Sequence, residues 1–301
     1  MEILQSLSVR QWIGVRLIRA ISATFFSALA FGKRKIRVIK REFHYGAHRD
    51  ERLDYLSPDD TNQKLHEAVI YIHGGGWISC SKRFYPPDLQ FLCGAGYPVF
   101  NLEYPLAPEH PHPHLLQSIL RAVAWVKQHH PEIQTVHMMG DSAGANLAAM
   151  YGVLYCNPEL FAIVGGEYSQ RDLLPPQSVI SLYGLLDRGT LLGDDGQKVT
   201  AIVRLFLQSY GGPDVLSPDP IAPEKAITPM DLNWQNHPRC FIGVGDIDFL
   251  HDSSALYARE LVRRNVPVVH KIYPGAPHGF FNMRHAQTPQ LKRDVLEFLS
   301  A

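Results

Sequence analysis

The sequence lacks several features that are typical of metal, disulfide-rich and nucleic-acid-binding proteins. It has four cysteines in 301 residues. They form no C-x-x-C pair, so neither a zinc pattern nor a dense disulfide framework is present. Lys plus Arg equals Asp plus Glu at 29 each, so no net charge attracts nucleic acid. We therefore expect buried free thiols, a cytoplasmic location, no nucleic-acid partner and an uncharged small-molecule partner.

The N-terminal region also lacks an uncharged run long enough to span a membrane. Residues 20–32 carry no charge, but these 13 residues fall short of the ~20 that a span needs. Apolar residues four apart, with Arg16 and Arg19 on another face, predict a helix; they are Ile13, Leu17, Ile21, Phe25 and Leu29. We expect this helix to pack over an active site. The alternatives are peripheral membrane contact and a signal peptide.

Strand-like and helix-like segments alternate along the rest of the chain. Strands are predicted at 42–56 (one or two), 68–72, 99–102, 136–139, 178–182, 239–244 and 268–273. Helices are predicted at 85–95, 115–130, 145–155, 253–264 and 289–299. This order predicts an α/β fold with a mostly parallel central sheet flanked by helices. Residues 185–236 interrupt the alternation, and we predict an insertion above the sheet of a single domain, 1–301.

A nucleophile elbow is predicted at residues 140–144, Gly-Asp-Ser-Ala-Gly. This segment matches G-x-S-x-G, with an apolar strand before it and a helix-forming run after it. A tight turn there lifts the Ser142 hydroxyl out of the sheet and places free N–H groups of a helix start beside it. We predict that Ser142 is a nucleophile.

A glycine loop follows the strand predicted at 68–72, in the order His73-Gly-Gly-Gly-Trp77. Acyl transfer develops negative charge on a carbonyl oxygen, and backbone N–H groups aimed at that oxygen lower the barrier. Glycines let the backbone approach the substrate closely. We predict oxyanion-hole donors at Gly75, Gly76 and Ala143, and a loop-bracing role for His73.

A serine nucleophile needs a histidine base and an acid that orients it. In chains with this elbow the order is serine, acid, histidine. His278 lies in a loop between the last strand and the last helix, so we favour it over the other downstream histidines, His237, His251, His270 and His285. The loop after the preceding strand offers Asp246, Asp248 and Asp252, and Asp187 is a more distant candidate. Spacing alone does not separate Asp246 from Asp248.

Five segments together resemble the hormone-sensitive-lipase-like carboxylesterase family of the α/β-hydrolase superfamily. They are the glycine loop, the elbow, Leu-Ala-Pro-Glu-His-Pro at 106–111, Asp-Phe-Leu-His-Asp at 248–252 and His-Gly-Phe at 278–280. The resemblance implies the α/β-hydrolase fold and Asp248 as the acid. It also implies a helical cap from about 1–40 and 185–236, no cofactor, and short- to medium-chain acyl esters as substrates.

Two other functions compete with ester hydrolysis. A kynurenine-formamidase-like amide or formamide hydrolase uses the same triad and a similar glycine loop. A non-catalytic ligand receptor on this scaffold is disfavoured, because such receptors resemble this family without the triad histidine. A metal site at His110, His112 and His114 is also disfavoured, because the alternating prolines favour an extended path on which alternate side chains diverge. The oligomeric state stays open.

Overall fold

The computed structural model describes residues 7–31, 38–57, 64, 66–164, 166–193 and 199–301. Eight strands form one sheet: β1 (Ile39–His44), β2 (Arg52–Ser57), β3 (Glu67–Ile72), β4 (Val99–Leu102), β5 (Thr135–Asp141), β6 (Pro176–Leu182), β7 (Arg239–Gly245) and β8 (Val268–Tyr273). Their spatial order is β1-β2-β4-β3-β5-β6-β7-β8. The strands predicted at 99–102 and 268–273 have these bounds in the structure, and the others differ at their ends by up to three residues.

The sheet is parallel from β4 to β8 and antiparallel at its β1–β2–β4 edge. In the centre, Ile72 pairs with Gly140 and Asp141 pairs with Leu182. The carboxyl ends of parallel strands meet at one edge of a sheet, where ligands bind in open α/β folds. The loops that follow β3, β5, β7 and β8 therefore converge on the same edge.

The helices follow the strands in the predicted alternation. They are α1 (Val9–Phe31), α2 (Pro86–Gly94), α3 (His114–His129), α4 (Ala143–Cys156), α5 (Pro158–Val164), α6 (Gly189–Leu192), α7 (Ala201–Gly211), α8 (His251–Arg263) and α9 (Thr288–Ser300). Helix α4 is buried from Ala143 to Leu154 because it packs on β5 and β6 at the centre of the molecule. Such a helix is apolar on all sides, which explains why its sequence shows no polar face.

Helix α1 packs on the protein with a different face from the one that its sequence predicts. Val15 is fully buried, and Ile18 and Phe26 are half-buried. The predicted stripe is exposed instead from Ile13 to Phe25. A spacing of four residues advances about 40° beyond a full turn, so the stripe winds away from the face that packs.

Helix α1 is also longer than the uncharged run that predicts it. Residues Val9–Leu29 are long and apolar enough to cross a membrane, although arginines interrupt them and only 6% of the apolar window is buried. Length and composition alone are weak support for a span, since signal sequences have the same properties.

The segment 185–236 contains α6, α7 and three short 3-10 turns, and part of it (194–198) lies outside the described residues. Its assignment as a cap, together with about 1–40, stays a prediction.

The four cysteines are free. Cys93 and Cys240 are buried, whereas Cys80 and Cys156 are half-buried.

Candidate active site

Ser142 lies on a strained turn between β5 and α4. Its φ is 51° and its ψ is −118°, a conformation that costs energy for a residue with a side chain. The Ser142 N–H donates to the Leu182 carbonyl at 2.8 Å, which holds the turn against β6. A Cβ at Gly144 would collide with the Ile72 carbonyl, and one at Gly140 would collide with the Gly144 backbone. The two glycines of the elbow are therefore required by close backbone approach.

The structure brings the three side chains predicted as a triad into one hydrogen-bonded series. Ser142 Oγ lies 2.9 Å from His278 Nε2. His278 Nδ1 lies 3.0 Å from both carboxylate oxygens of Asp248. The Asp248 side chain is fully buried, whereas that of His278 is 28% exposed. The imidazole thus connects a buried carboxylate to a hydroxyl, the arrangement that activates a serine for nucleophilic attack.

Geometry separates Asp248 from the other acids that spacing left open. Asp246 Oδ1 accepts from the Gly275 N–H at 2.7 Å and so braces the loop that carries His278. Asp252 is highly exposed and contacts His251. Asp187 Oδ2 accepts from the Thr190 N–H at 2.7 Å. None of these contacts joins an alternative acid to His278.

The histidines that compete with His278 do not contact Ser142 among the described residues. His237 is half-buried with Nδ1 at 2.6 Å from the Pro238 carbonyl, and His251 pairs with Asp252. His270 lies within β8, and His285 packs edge-on to Phe280. His278 is therefore the histidine that the fold places at the elbow.

The glycine loop after β3 lies beside Ser142. Gly75 and Gly76 adopt positive φ values of 112° and 60°, which side chains rarely tolerate. Both glycines line the cavity that contains Ser142, together with Ala143. Ala143 is the first residue of α4, where backbone N–H groups lack partners within the helix. The three predicted donors therefore line the same cavity as the serine, and their role in binding an oxyanion stays a prediction.

Asp141 joins the elbow to the glycine loop, a role that the sequence did not indicate. Its Oδ1 accepts from the Tyr71 hydroxyl at 2.7 Å and from the Gly74 N–H at 2.9 Å. Its Oδ2 accepts from the Tyr85 hydroxyl at 3.2 Å and from the Asn282 amide at 3.4 Å. Burial raises the pKa of Asp141 above its ordinary value, although these donors favour the anion. The elbow and the loop are thus fixed relative to each other by one carboxylate.

A second buried acid, Glu103, braces the glycine loop through His73. Glu103 Oε1 lies 3.0 Å from His73 Nε2, and Oε2 accepts from the Ser81 hydroxyl and the Lys82 N–H. His73 Nδ1 lies 2.7 Å from the Gly74 carbonyl. Burial acts to raise the pKa of Glu103, but the hydrogen bonds from His73 and Ser81 and the nearby charges outweigh it, so the pKa is lowered. These contacts agree with the loop-bracing role predicted for His73.

A largely apolar cavity of about 680 Å³ opens beside Ser142. Helices α1 and α7 supply much of its wall, through residues such as Ile18, Phe26, Val203 and Phe206. Within the described part of the chain, Asp141 is the one Asp, Glu, Lys or Arg that lines it. The volume is in the range of small-molecule sites, so the cavity suits an uncharged apolar ligand.

Arg19 fastens α1 to the loops beside this cavity. Its guanidinium donates to the Ile78 carbonyl at 2.7 Å and to the Ala107 carbonyl at 2.9 Å. It also pairs with both carboxylate oxygens of Glu109, at 2.8 and 2.6 Å. Ile78 directly follows Trp77, the last residue of the predicted glycine loop. The cavity wall and the loop are therefore connected through one side chain.

Comparison with known proteins places the chain in a family. The family model described as the alpha/beta hydrolase fold matches residues 69–282, more than two thirds of the chain. The chain belongs to this family. The predicted α/β-hydrolase fold and the hormone-sensitive-lipase-like membership are confirmed. Among the residues that the structure describes, no group of three or more His, Cys, Asp or Glu is arranged to hold a metal.

Curated relatives and solved structures are similar at modest identity. Carboxylesterase NlhH of Mycobacterium tuberculosis is 28% identical over 225 residues, covering 71% of this chain and 66% of the relative, slightly under two thirds of its length. Versiconal hemiacetal acetate esterase stcI of Emericella nidulans is 29% identical over 231 residues, covering 74% and 76%. The structure of esterase B from Lactobacillus rhamnosis has a TM-score of 0.81 at 18% identity and covers 97% and 94% of the chains. This last likeness shows the fold alone.

Proposed function

We propose that this chain hydrolyses carboxylic esters through an acyl-serine intermediate. The observation that carries the proposal is the series from Ser142 through His278 to Asp248, beside an apolar cavity. The esterase names of the curated relatives agree with it.

The proposed mechanism uses each contact of the series. His278 Nε2 removes the proton from Ser142 Oγ as the oxygen attacks the ester carbonyl, and then donates that proton to the leaving alcohol. Asp248 holds the imidazole in the correct tautomer and stabilises its charged form. Water activated by His278 then releases the acid. The N–H groups of Gly75, Gly76 and Ala143 bind the oxyanion in both steps.

We further propose uncharged esters of short to medium acyl chain length as substrates, and the lining and volume of the cavity support this choice. Its lining is largely apolar, and its volume of about 680 Å³ suits a small molecule rather than a polymer. No resident metal or organic cofactor takes part in the proposed reaction.

A panel of p-nitrophenyl esters tests the proposal with wild type, Ser142→Ala and His278→Ala. We expect turnover of the butanoate and octanoate esters to exceed that of the hexadecanoate ester. Loss of the triad serine or histidine is expected to lower kcat by at least about 10⁴-fold. Undiminished turnover in either variant would overturn the serine mechanism.

Including N-formylkynurenine in the same panel discriminates the formamidase alternative. The two functions share the triad, so only the ratio of kcat/KM values for amide and ester separates them. A higher value for N-formylkynurenine than for every ester would replace the ester proposal. A wild-type protein that forms no Ser142 adduct with a fluorophosphonate probe would favour the receptor interpretation.

A further inference from the structure

Helix α1 presents a row of large apolar side chains to solvent. The row, here called the α1 stripe, consists of Val9, Ile13, Leu17, Ile21 and Phe25, which are between 45% and 76% exposed. Single exposed apolar residues are common on soluble proteins, whereas a contiguous row of this kind indicates an interaction surface. The α1 stripe is therefore a candidate interaction surface.

The α1 stripe is continuous with the rim of the cavity. Ile21 and Phe25 belong to the stripe and also line the cavity. Ile202 of α7 and Phe249, in the loop after β7, are likewise both exposed and cavity-lining. One apolar surface thus extends from the N-terminal end of α1 to the rim of the cavity.

The charges of α1 are all positive. The helix contains Arg10, Arg16 and Arg19 and no acidic residue. Arg19 is paired with Glu109, but Arg10 and Arg16 are exposed and have no ion-pair partner in the part of the chain that the structure describes. An apolar stripe with exposed arginines beside it complements a surface that is apolar inside and anionic at its edge.

The attachment of α1 indicates that the helix lies on such a surface rather than crossing it. Val15 is fully buried against the protein, and Ile18 and Phe26 form part of the cavity wall. Arg19 fixes the middle of the helix to the Ile78 and Ala107 carbonyls. A spanning helix would lose all these contacts and carry arginines into the bilayer, which is costly.

We propose that the α1 stripe docks on the surface of an anionic phospholipid bilayer, with the rim of the cavity facing the lipid. The apolar side chains enter the boundary between headgroups and acyl chains, and Arg10 and Arg16 pair with headgroup phosphates. Molecules dissolved in the bilayer then reach the cavity without crossing water. The docking is independent of the proposed ester hydrolysis, and its test requires no catalysis.

Co-sedimentation with vesicles tests the docking surface directly. Wild type is expected to bind vesicles of phosphatidylcholine and phosphatidylglycerol more tightly than vesicles of phosphatidylcholine alone. Ile13→Gln and Leu17→Gln are neutral, helix-compatible changes at residues that do not line the cavity. Each should weaken binding about tenfold, because one buried aliphatic side chain is lost from the lipid contact.

The matched control is Val262→Gln, since Val262 on α8 is 62% exposed but lies outside the stripe. It should bind vesicles as wild type does. Arg10→Gln and Arg16→Gln should each weaken binding to the anionic vesicles about fivefold and leave binding to neutral vesicles unchanged. Circular dichroism and thermal unfolding of every variant verify that the fold is retained.

Four outcomes would overturn the proposal. If wild type stays in the supernatant with both kinds of vesicle, the α1 stripe does not dock on a bilayer. Vesicle binding that Ile13→Gln and Leu17→Gln leave intact uses another surface. If wild type binds no vesicles but is a dimer by sedimentation equilibrium, and the same two variants are monomers, the α1 stripe binds a second copy of this chain. Binding that resists alkaline carbonate would indicate a spanning helix and would also overturn docking.

Discussion

At the scale of single residues, the site depends on which carboxylate faces His278. Asp248 is fully buried and touches both His278 Nδ1 and, through Oδ1, the Leu250 N–H at 2.8 Å. Burial and two donors hold the carboxylate in one orientation, so the imidazole is held with it.

Replacing Asp248 with Asn should lower kcat about 10⁴-fold, because the amide stabilises the wrong imidazole tautomer and no charge. Asp252→Asn is the control, since that side chain is 85% exposed and contacts His251 rather than His278. Initial rates with p-nitrophenyl butanoate measure both. Equal losses in the two variants would contradict the assignment of Asp248.

Asp141 is expected to act as a positioning residue. Asp141→Asn keeps the shape of the side chain but weakens the bond from the Gly74 N–H, since bonds to a charged acceptor are stronger. We expect kcat to fall about tenfold with little change in KM, because a bond of that kind contributes about 1.5–3 kcal/mol.

The free energy of unfolding separates positioning from a purely structural role for Asp141. Burial raises the pKa of this carboxyl, so the folded state bears a cost for its charge, and Asn removes that cost. Stability in urea should therefore be equal to wild type or higher while kcat falls. A parallel loss of both quantities would indicate a structural role alone.

At the scale of elements, α1 is held to the rest of the molecule by Arg19. Arg19→Gln removes the ion pair with Glu109 and weakens the bonds to the Ile78 and Ala107 carbonyls. The α1 wall of the cavity should then open more often, so KM for the octanoate ester should rise several-fold with a smaller change in kcat. Hydrogen exchange of the α1 amides should be faster.

Arg16→Gln provides the matched control for Arg19→Gln. Arg16 lies one turn away on α1 and is exposed, with no hydrogen bond or ion pair within the described ranges. The Arg16→Gln variant should therefore have the wild-type KM and, in aqueous buffer, the wild-type exchange rates of the α1 amides. Identical behaviour of the two variants would show that Arg19 does not fasten the helix.

At the scale of the whole molecule, two buried histidines and one half-buried histidine make the free energy of unfolding depend on pH. Burial lowers the pKa of His112, His137 and His237 to about 4. In the unfolded chain they titrate near 6.5, so the unfolded state binds more protons below that pH. Their stabilisation is complete above pH ~6.5 and is lost as the pH falls towards ~4.

The expected loss is about 1.2 kcal/mol for each histidine between pH 7 and 5.5. Urea unfolding across this range measures it. His237→Gln removes one titrating group, so its stability should fall less steeply with acid than that of wild type, whatever its stability at pH 7. A slope equal to the wild-type slope would show that His237 does not titrate in this way.

The sequence predicts most of the sheet because buried parallel strands are continuous apolar runs, and their order sets where the loops meet. It predicts Ser142 and His278 because the elbow and the order along the chain constrain them. It does not separate Asp246 from Asp248 without the family resemblance, since both lie in one short loop and only tertiary geometry decides which faces the imidazole.

Contacts between distant segments account for what the sequence does not predict. Glu103 and Asn282 reach the glycine loop and Asp141 from other parts of the chain, so no local pattern reveals them. The stripe from Ile13 to Phe25 has helical period but faces solvent, because periodicity shows that an apolar side exists and not what covers it. Helix α5 is seven residues long, too short for its period to be recognised.

The cavity combines parts of the chain that have separate tasks. Its reacting side chains stand on loops after β5, β7 and β8, whereas much of its wall belongs to α1 and α7. No residue of the Ser142–His278–Asp248 series lies on either helix. Mutations at the cavity-lining positions of the two helices leave the three reacting side chains unchanged. A library confined to those positions, with Arg19 kept, would therefore sample new substrates while every member retains the same catalytic side chains.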